Sequence, residues 1–207
     1  MRAYLTETFG AFFLVLAFGF TGDPLAIGLT LIALIYIGYP ISGGHYNPAV
    51  SFAFFLKQEL SLPQFLGYVL SQTIGSILAA VTILFLSSSV FYVEPPTDTN
   101  LYQQAFAELL FTGIFVIIMM IFSLSRSQGK RNLLGLVAGL TFAGMLMITI
   151  PISGGILNPV TSIGTALIDF INGGNSYVHV LLYTLAPLCG CALAAFKYVY
   201  FNPPREA

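Results

Sequence analysis

The chain has 207 residues, of which 57% are hydrophobic and only 7% charged, far below the roughly 25% charged residues of soluble domains. With a mean hydropathy of +0.89, it reads as an integral membrane protein whose solvent is the bilayer. A net charge of −1 excludes an electrostatic case for nucleic acid, and the first apolar stretch follows Met1-Arg2 with no cleavage site, so no removable leader is expected.

Crossing a bilayer as a helix takes roughly 18 or more apolar residues. By that measure, spans are predicted at about Tyr4–Thr21, Leu25–Tyr39, Leu62–Leu86, Leu101–Leu124, Leu133–Ile150 and Tyr177–Phe201, the second short by count but continuing into Pro40-Ile41. Two shorter apolar pieces, Pro48–Leu56 and Pro159–Phe170, are about half a span. They are predicted as re-entrant half-helices, tolerated at membrane depth only against protein or a wet cavity. The segment 87–100 is a connector on one face, and Arg126–Asn132 its counterpart on the other.

Each half-helix follows a stretch that occurs twice: PISGGHYNPAVS at 40–51 and PISGGILNPVTS at 151–162, identical at eight of twelve positions. Pro40 and Pro151 are expected to stop the preceding helix, because proline lacks the N–H and restricts the residue before it. Ser-Gly-Gly then supplies permissive backbone with exposed carbonyls, at Gly43 and Gly44 and again at Gly154 and Gly155. Asn47 and Asn158 are strong N-caps, each followed by a proline suited to the first helical position.

The seven cations are Arg2, Lys57, Arg126, Lys130, Arg131, Lys197 and Arg205. With six crossings all of them fall on one side, provided that the first half-helix enters and leaves there. The opposite loops hold Asp23, Glu94, Asp98, Asp169 and His179 and no Lys or Arg. The asymmetry predicts both termini in the cytoplasm. The halves, about 1–90 and 101–203, match beyond the motif: Glu7 with Glu108, Gly28 with Gly139, Tyr68 with Tyr183, Gly75 with Gly190. Three crossings per half force the second to be inverted. Inverted repeats with broken helices place a transport site near the midplane.

Inversion would bring both half-helix N-termini to the bilayer centre, each carrying unpaired N–H groups and about half a positive charge. Asn47 and Asn158 would cap their helices through the side-chain oxygen and point the amide N–H2 into the gap. Donors at the centre, carbonyls along the approach and apolar walls suit small uncharged polar solutes and repel cations.

The doubled box resembles the aquaporin (major intrinsic protein) family across the whole chain, as a divergent, prokaryotic-type member. The resemblance implies an all-α membrane channel over 1–207, with six transmembrane helices and two re-entrant half-helices in two inverted repeats. It further implies a pore for water in a cell membrane, usually as a homotetramer, and no cofactor. Asn47-Pro48-Ala49 matches the first box of the family outright, whereas Asn158-Pro159-Val160 departs at its last residue. Where most of the family has an outer arginine, this chain has Thr161; the other constriction positions match Ile27, Leu146 and Gly155. That ring predicts a wider, more apolar outer neck, open to glycerol, urea, ammonia or uncharged metalloid hydroxides. Ser162, Ala166 and Tyr183 resemble the water-selective type, but Thr184 does not.

Ionisable groups inside spans are costly and usually functional. Glu7 and Glu108 therefore either couple transport to protons or ions or, as the family suggests, accept N–H groups of the broken loops; their duplication favours bracing. His45 either lines the cytoplasmic vestibule beside Gly43, Gly44 and Gly154 or hydrogen-bonds loop backbone. Cys189 and Cys191 point to different helix faces, which excludes pairing, and two dispersed histidines make neither a metal site nor an enzyme centre. A proton-coupled transporter and a sealed junction protein of the same fold are the competing readings.

Overall fold

The computed structural model describes residues 1–201, which contain helices and no strands. Arg205, the last of the expected cytoplasmic cations, and the end of the second repeat lie outside them. Six helices are long and apolar enough to cross a membrane: α1 (Arg2–Thr21), α2 (Pro24–Ser42), α4 (Leu62–Ser87), α5 (Leu101–Ser123), α7 (Leu134–Ser153) and α9 (Val180–Phe201). The half-helices are α3 (Pro48–Leu56) and α8 (Pro159–Ile171). One element escaped the sequence reading, the single-turn α6 (Gln128–Asn132) in the linker to α7. Another refinement is at the last span, which opens with a 3-10 turn over Ser176–His179.

The starts follow the chemistry of the sequence. Asp23 Oδ1 accepts the Ala26 N–H at 2.7 Å ahead of Pro24. Ser61 with Gln64 and Asn100 with Gln103 form reciprocal capping boxes on α4 and α5, each cap contributing about 1 kcal/mol. The ends of α2 and α7 differ from expectation. Pro40 and Pro151 do not stop these helices but sit inside the final turn. A proline there forfeits only its own N–H, so the carbonyl four residues earlier loses its donor while the next turn still closes. Gly43 and Gly154, at φ 88° and 89°, end the helices instead, donating to Tyr39 O and Ile150 O in the left-handed conformation glycine favours.

Packing repeats across the halves. The α1–α4 pair matches α5–α9, α2 crosses α7, and each half-helix packs against the third span of the other half, α8 on α4 and α3 on α9. Glycines let these backbones touch. A Cβ at Gly75 would lie 2.3 Å from Thr8 O, and one at Gly190 2.0 Å from Leu109 O. At the α2–α7 crossing Gly28 and Gly139 each place the other's carbonyl 2.5 Å from where a Cβ would be. Small residues at such crossings replace the hydrophobic drive that lipid cannot supply.

An apolar cluster fills much of the interior, with Phe142 between Phe18 and Phe115 at ring-centroid distances of 6.2 and 4.9 Å. The outward faces are apolar as well: Leu5, Leu70, Phe85, Leu140 and Leu193 are all exposed, as a chain whose surface meets lipid requires. This is a multi-pass membrane protein. The two cysteines are free, Cys189 exposed and Cys191 buried, as opposite helix faces demand.

Gly190→Ala is expected to lower stability by about 1–3 kcal/mol through overpacking, whereas Gly144→Ala, which meets nothing within 4 Å, should be neutral or stabilising by up to ~1 kcal/mol. Thermal unfolding of the two variants in detergent checks the contrast.

Candidate functional site

The two broken loops adopt one conformation. Gly43, Gly44 and Tyr46 have φ of 88°, 64° and 52°, and Gly154, Gly155 and Leu157 repeat it at 89°, 64° and 53°. Tyr46 and Leu157 are non-glycine residues held left-handed, a strained state that persists only when neighbours over-determine it. The neighbours are the two buried glutamates. Glu7 Oε1 accepts the Ser42 hydroxyl at 2.6 Å and the His45 N–H at 3.0 Å, and its Oε2 accepts the Tyr46 N–H at 2.6 Å. Glu108 Oε1 accepts the Ser153 hydroxyl at 2.7 Å and the Ile156 N–H at 3.0 Å, and its Oε2 the Leu157 N–H at 2.8 Å. Tyr68 and Tyr183 complete the duplication by donating to Ser42 O and Ser153 O at 2.7 and 2.5 Å. Both carboxylates are fully buried, and charged acceptors make the stronger hydrogen bonds.

Braced in this way, the loops deliver the Asn-Pro corners to each other. Asn47 and Asn158 cap α3 and α8, their Oδ1 atoms accepting the Ala49 N–H at 2.8 Å and the Val160 N–H at 3.3 Å. The amides do not simply point into a gap. Asn47 Nδ2 donates to Leu157 O at 2.8 Å and Asn158 Nδ2 donates to Tyr46 O at 3.1 Å, so each corner ties itself to the loop of the opposite half. Each amide carries two N–H donors, of which the tie uses one per asparagine. Sequence spacing could not show the tie, because its acceptors lie 110 and 112 residues away. Behind the second corner, Ser76 donates to Val160 O at 2.5 Å, and Gly164 leaves room for Ser76 where α8 meets α4. Pro48, Ala49, Pro159 and Val160 are all buried around the junction.

The four positions expected to form the outer neck are also buried. Ile27 is 1% exposed and Leu146 and Thr161 are 0%, while Gly155 is in the buried class. A cavity of about 290 Å3 lined by Phe18, Ile27, Glu94, Ile150, Gly155 and Ile156 opens beside them. It reaches Ile27 and Gly155 but not Leu146 or Thr161. The Thr161 hydroxyl has no hydrogen-bond partner in the protein. Val93 of the 88–100 connector is buried and Glu94 lies against Gly154, a contribution to this cavity that the connector's composition did not signal.

The halves differ in one network. His45 is 4% exposed. Its ring lies 4.5 Å from Phe54 and 5.4 Å from Tyr68, and Nδ1 shares a hydrogen bond with the Ser51 hydroxyl at 3.1 Å, a side-chain partner and not loop backbone. Gln72 Nε2 donates both to that hydroxyl at 3.0 Å and to Glu7 Oε2 at 2.7 Å. In the second half the equivalent residues are Ile156, Ser162 and Pro187, and Ser162 Oγ is buried without a partner. Gln72 was missed because reading by symmetry finds no counterpart for it. Among the described residues, no group of three or more His, Cys, Asp or Glu could hold a metal.

Comparison with known proteins places these features in a wider set. The family model described as "Major intrinsic protein" matches residues 15–198. The glycerol uptake facilitator protein-like 6 of Lactiplantibacillus plantarum is 35% identical over 95% of this chain and 96% of its own. Aquaporin Z of Photorhabdus laumondii is 31% identical over 77% and 74% of the respective chains. The X-ray structure of the aquaglyceroporin from Plasmodium falciparum superposes with a TM-score of 0.84, at 22% identity, over 98% of this chain and 97% of that one, a likeness of fold.

Replacing Glu108 by Gln turns one of two acceptor oxygens into a donor facing N–H and O–H groups that already donate. The buried mismatch is expected to cost about 1–3 kcal/mol. Glu108→Gln should therefore melt at lower temperature in detergent than Asp98→Asn, a change at an exposed connector residue.

Proposed function

The chain belongs to the major intrinsic protein family, whose members are passive channels and not enzymes, and on that premise we propose how this channel selects what it carries. The family supports conduction of water or small solutes. The observation that carries the reading is the reciprocal tie of Asn47 to Leu157 O and of Asn158 to Tyr46 O. It holds the N-termini of α3 and α8 against each other inside the bundle, each with about half a positive charge.

A solute at that junction meets one spare amide N–H from each asparagine and no anion. Water or an alcohol accepts these hydrogen bonds; a metal cation or hydronium meets two electropositive helix ends and is excluded. The carbonyls of the loops around Gly43, Gly44 and Gly154 supply acceptors on the approaches. Outside, a ring of Ile27, Leu146, Gly155 and Thr161 without a cation sets a larger size limit than an arginine would. Water and small neutral solutes such as glycerol, urea, ammonia or uncharged metalloid hydroxides then pass. The relative named for glycerol uptake supports glycerol among them. Cation exclusion rests on the central helix ends alone. The chain works in the cell membrane with both termini in the cytoplasm, on the asymmetry of its Lys and Arg, and as a homotetramer with one pore per subunit, by analogy to its family.

The coupled-transporter alternative would use Glu7 and Glu108 as proton or ion sites. Their oxygens are instead occupied by four and three donors respectively, which favours bracing.

Stopped-flow light scattering on proteoliposomes tests the reading. Water and glycerol permeability above protein-free vesicles is expected, with no solute accumulation under a pH gradient; uptake driven by the gradient would support coupling instead. Thr161→Arg should reduce glycerol permeability about tenfold, equivalent to ~1.4 kcal/mol on the barrier, and water by less. Unchanged glycerol permeability in that variant would remove Thr161 from the neck.

A further inference from the structure

A second cavity, of about 440 Å3, lies away from the Asn-Pro junction, between α2, α7 and the α6 linker. One wall is apolar, formed by Ile35, Leu134 and Gly135, and the rim carries Gln128, Arg131 and Asn132. Two phenols fasten the linker over it: Tyr36 donates to Asn132 O at 3.0 Å and Tyr39 to Ser123 O at 2.9 Å.

The hydrogen-bond inventory of the rim is lopsided. Arg131 donates to Ser125 O and to Gln128 Oε1, both neutral, and no acidic residue occurs between Ser123 and Leu134. Gln128 Nε2 donates to Asn132 Oδ1 at 2.7 Å. Each of the oxygens named so far, on Ser123, Ser125, Gln128 and Asn132, already accepts one hydrogen bond. Unused donors remain: three of the five guanidinium N–H groups of Arg131, the second N–H of Gln128 and the amide of Asn132. Lys130 and Arg126 on the same linker are exposed and add positive charge. The Tyr36 carbonyl also lacks its helical donor, because residue 40 is proline.

From this we infer that the cavity binds the phosphodiester headgroup of an anionic phospholipid. The phosphate oxygens accept from Arg131 and the two amides, and a headgroup hydroxyl donates to the Tyr36 carbonyl. The acyl chains leave the Ile35 and Leu134 wall for the lipid-facing surface, where Ile37 on α2 and Leu136 and Leu140 on α7 are exposed apolar residues. Charge selects the lipid: an uncompensated arginine backed by Lys130 favours a headgroup of net charge −1 over a zwitterion, since each cation near an anionic surface contributes about 1 kcal/mol. The apolar wall distinguishes a lipid from free phosphate, which would leave that wall unoccupied.

Native mass spectrometry of the delipidated full-length protein in detergent tests the assignment, with phosphatidylglycerol, phosphatidylcholine and inorganic phosphate as probes. Phosphatidylglycerol is expected to bind about fivefold more tightly than phosphatidylcholine, the ratio that one charge at ~1 kcal/mol produces, and inorganic phosphate not measurably. Arg131→Gln should abolish the preference, Arg131→Lys should keep part of it, and Lys57→Gln, a cation on another loop, should leave it intact. Equal binding of the two lipids, or a preference unaffected by Arg131→Gln, overturns the proposal. Phosphate binding as tight as the lipid's overturns the lipid assignment. Because the readout is lipid retention, its outcome is independent of whether the channel passes glycerol.

Discussion

The structure depends on two carboxylates accepting backbone N–H groups that a membrane would otherwise leave unpaired. Unwinding a helix at membrane depth exposes donors and acceptors with no water to satisfy them, each at a cost of several kcal/mol. Glu7 and Glu108 meet that cost at His45, Tyr46, Ile156 and Leu157. A neutral side chain could not do the same, because only a carboxylate offers two oxygens that both accept and carry charge. With the loops held, the left-handed turns at Tyr46 and Leu157 become tolerable and the half-helices start where the asparagines direct them.

The same bracing explains why the asparagine amides are shared rather than free. Each loop carbonyl turned toward the junction, at Tyr46 and Leu157, needs a donor, and the nearest one belongs to the opposite corner. The tie therefore does two things in the proposed channel. It fixes the helix ends against each other, and it leaves one N–H per asparagine for a passing solute. Rigidity and hydrogen-bonding capacity come from one amide group.

Symmetry was the main source of insight and also of blindness. Residues that occur in pairs, such as Glu7 and Glu108, Gly75 and Gly190 or Asn47 and Asn158, perform matching tasks in both halves. The His45–Ser51–Gln72 network has no such twin, since Ile156 and Pro187 stand in its place. Nothing about a lone glutamine in an apolar span announces which carboxylate it will meet. Pro40 and Pro151 illustrate a different error. A proline costs a helix one donor, and when the chain is about to end anyway the last turn survives it.

Periodicity-free apolar runs and the doubled PISGG and Asn-Pro stretch were enough to determine the helical membrane class, the six spans, the half-helices and their caps. These are local properties, set by residue type against the bilayer or against the neighbouring turn. Only the tertiary structure decided which carbonyl each asparagine amide bonds, that His45 is enclosed by Phe54 and Tyr68, and that the α6 linker closes a donor-rich cavity. Those contacts join residues far apart in the chain, and hydrogen bonds across such distances are chosen by packing, which no short stretch of sequence encodes.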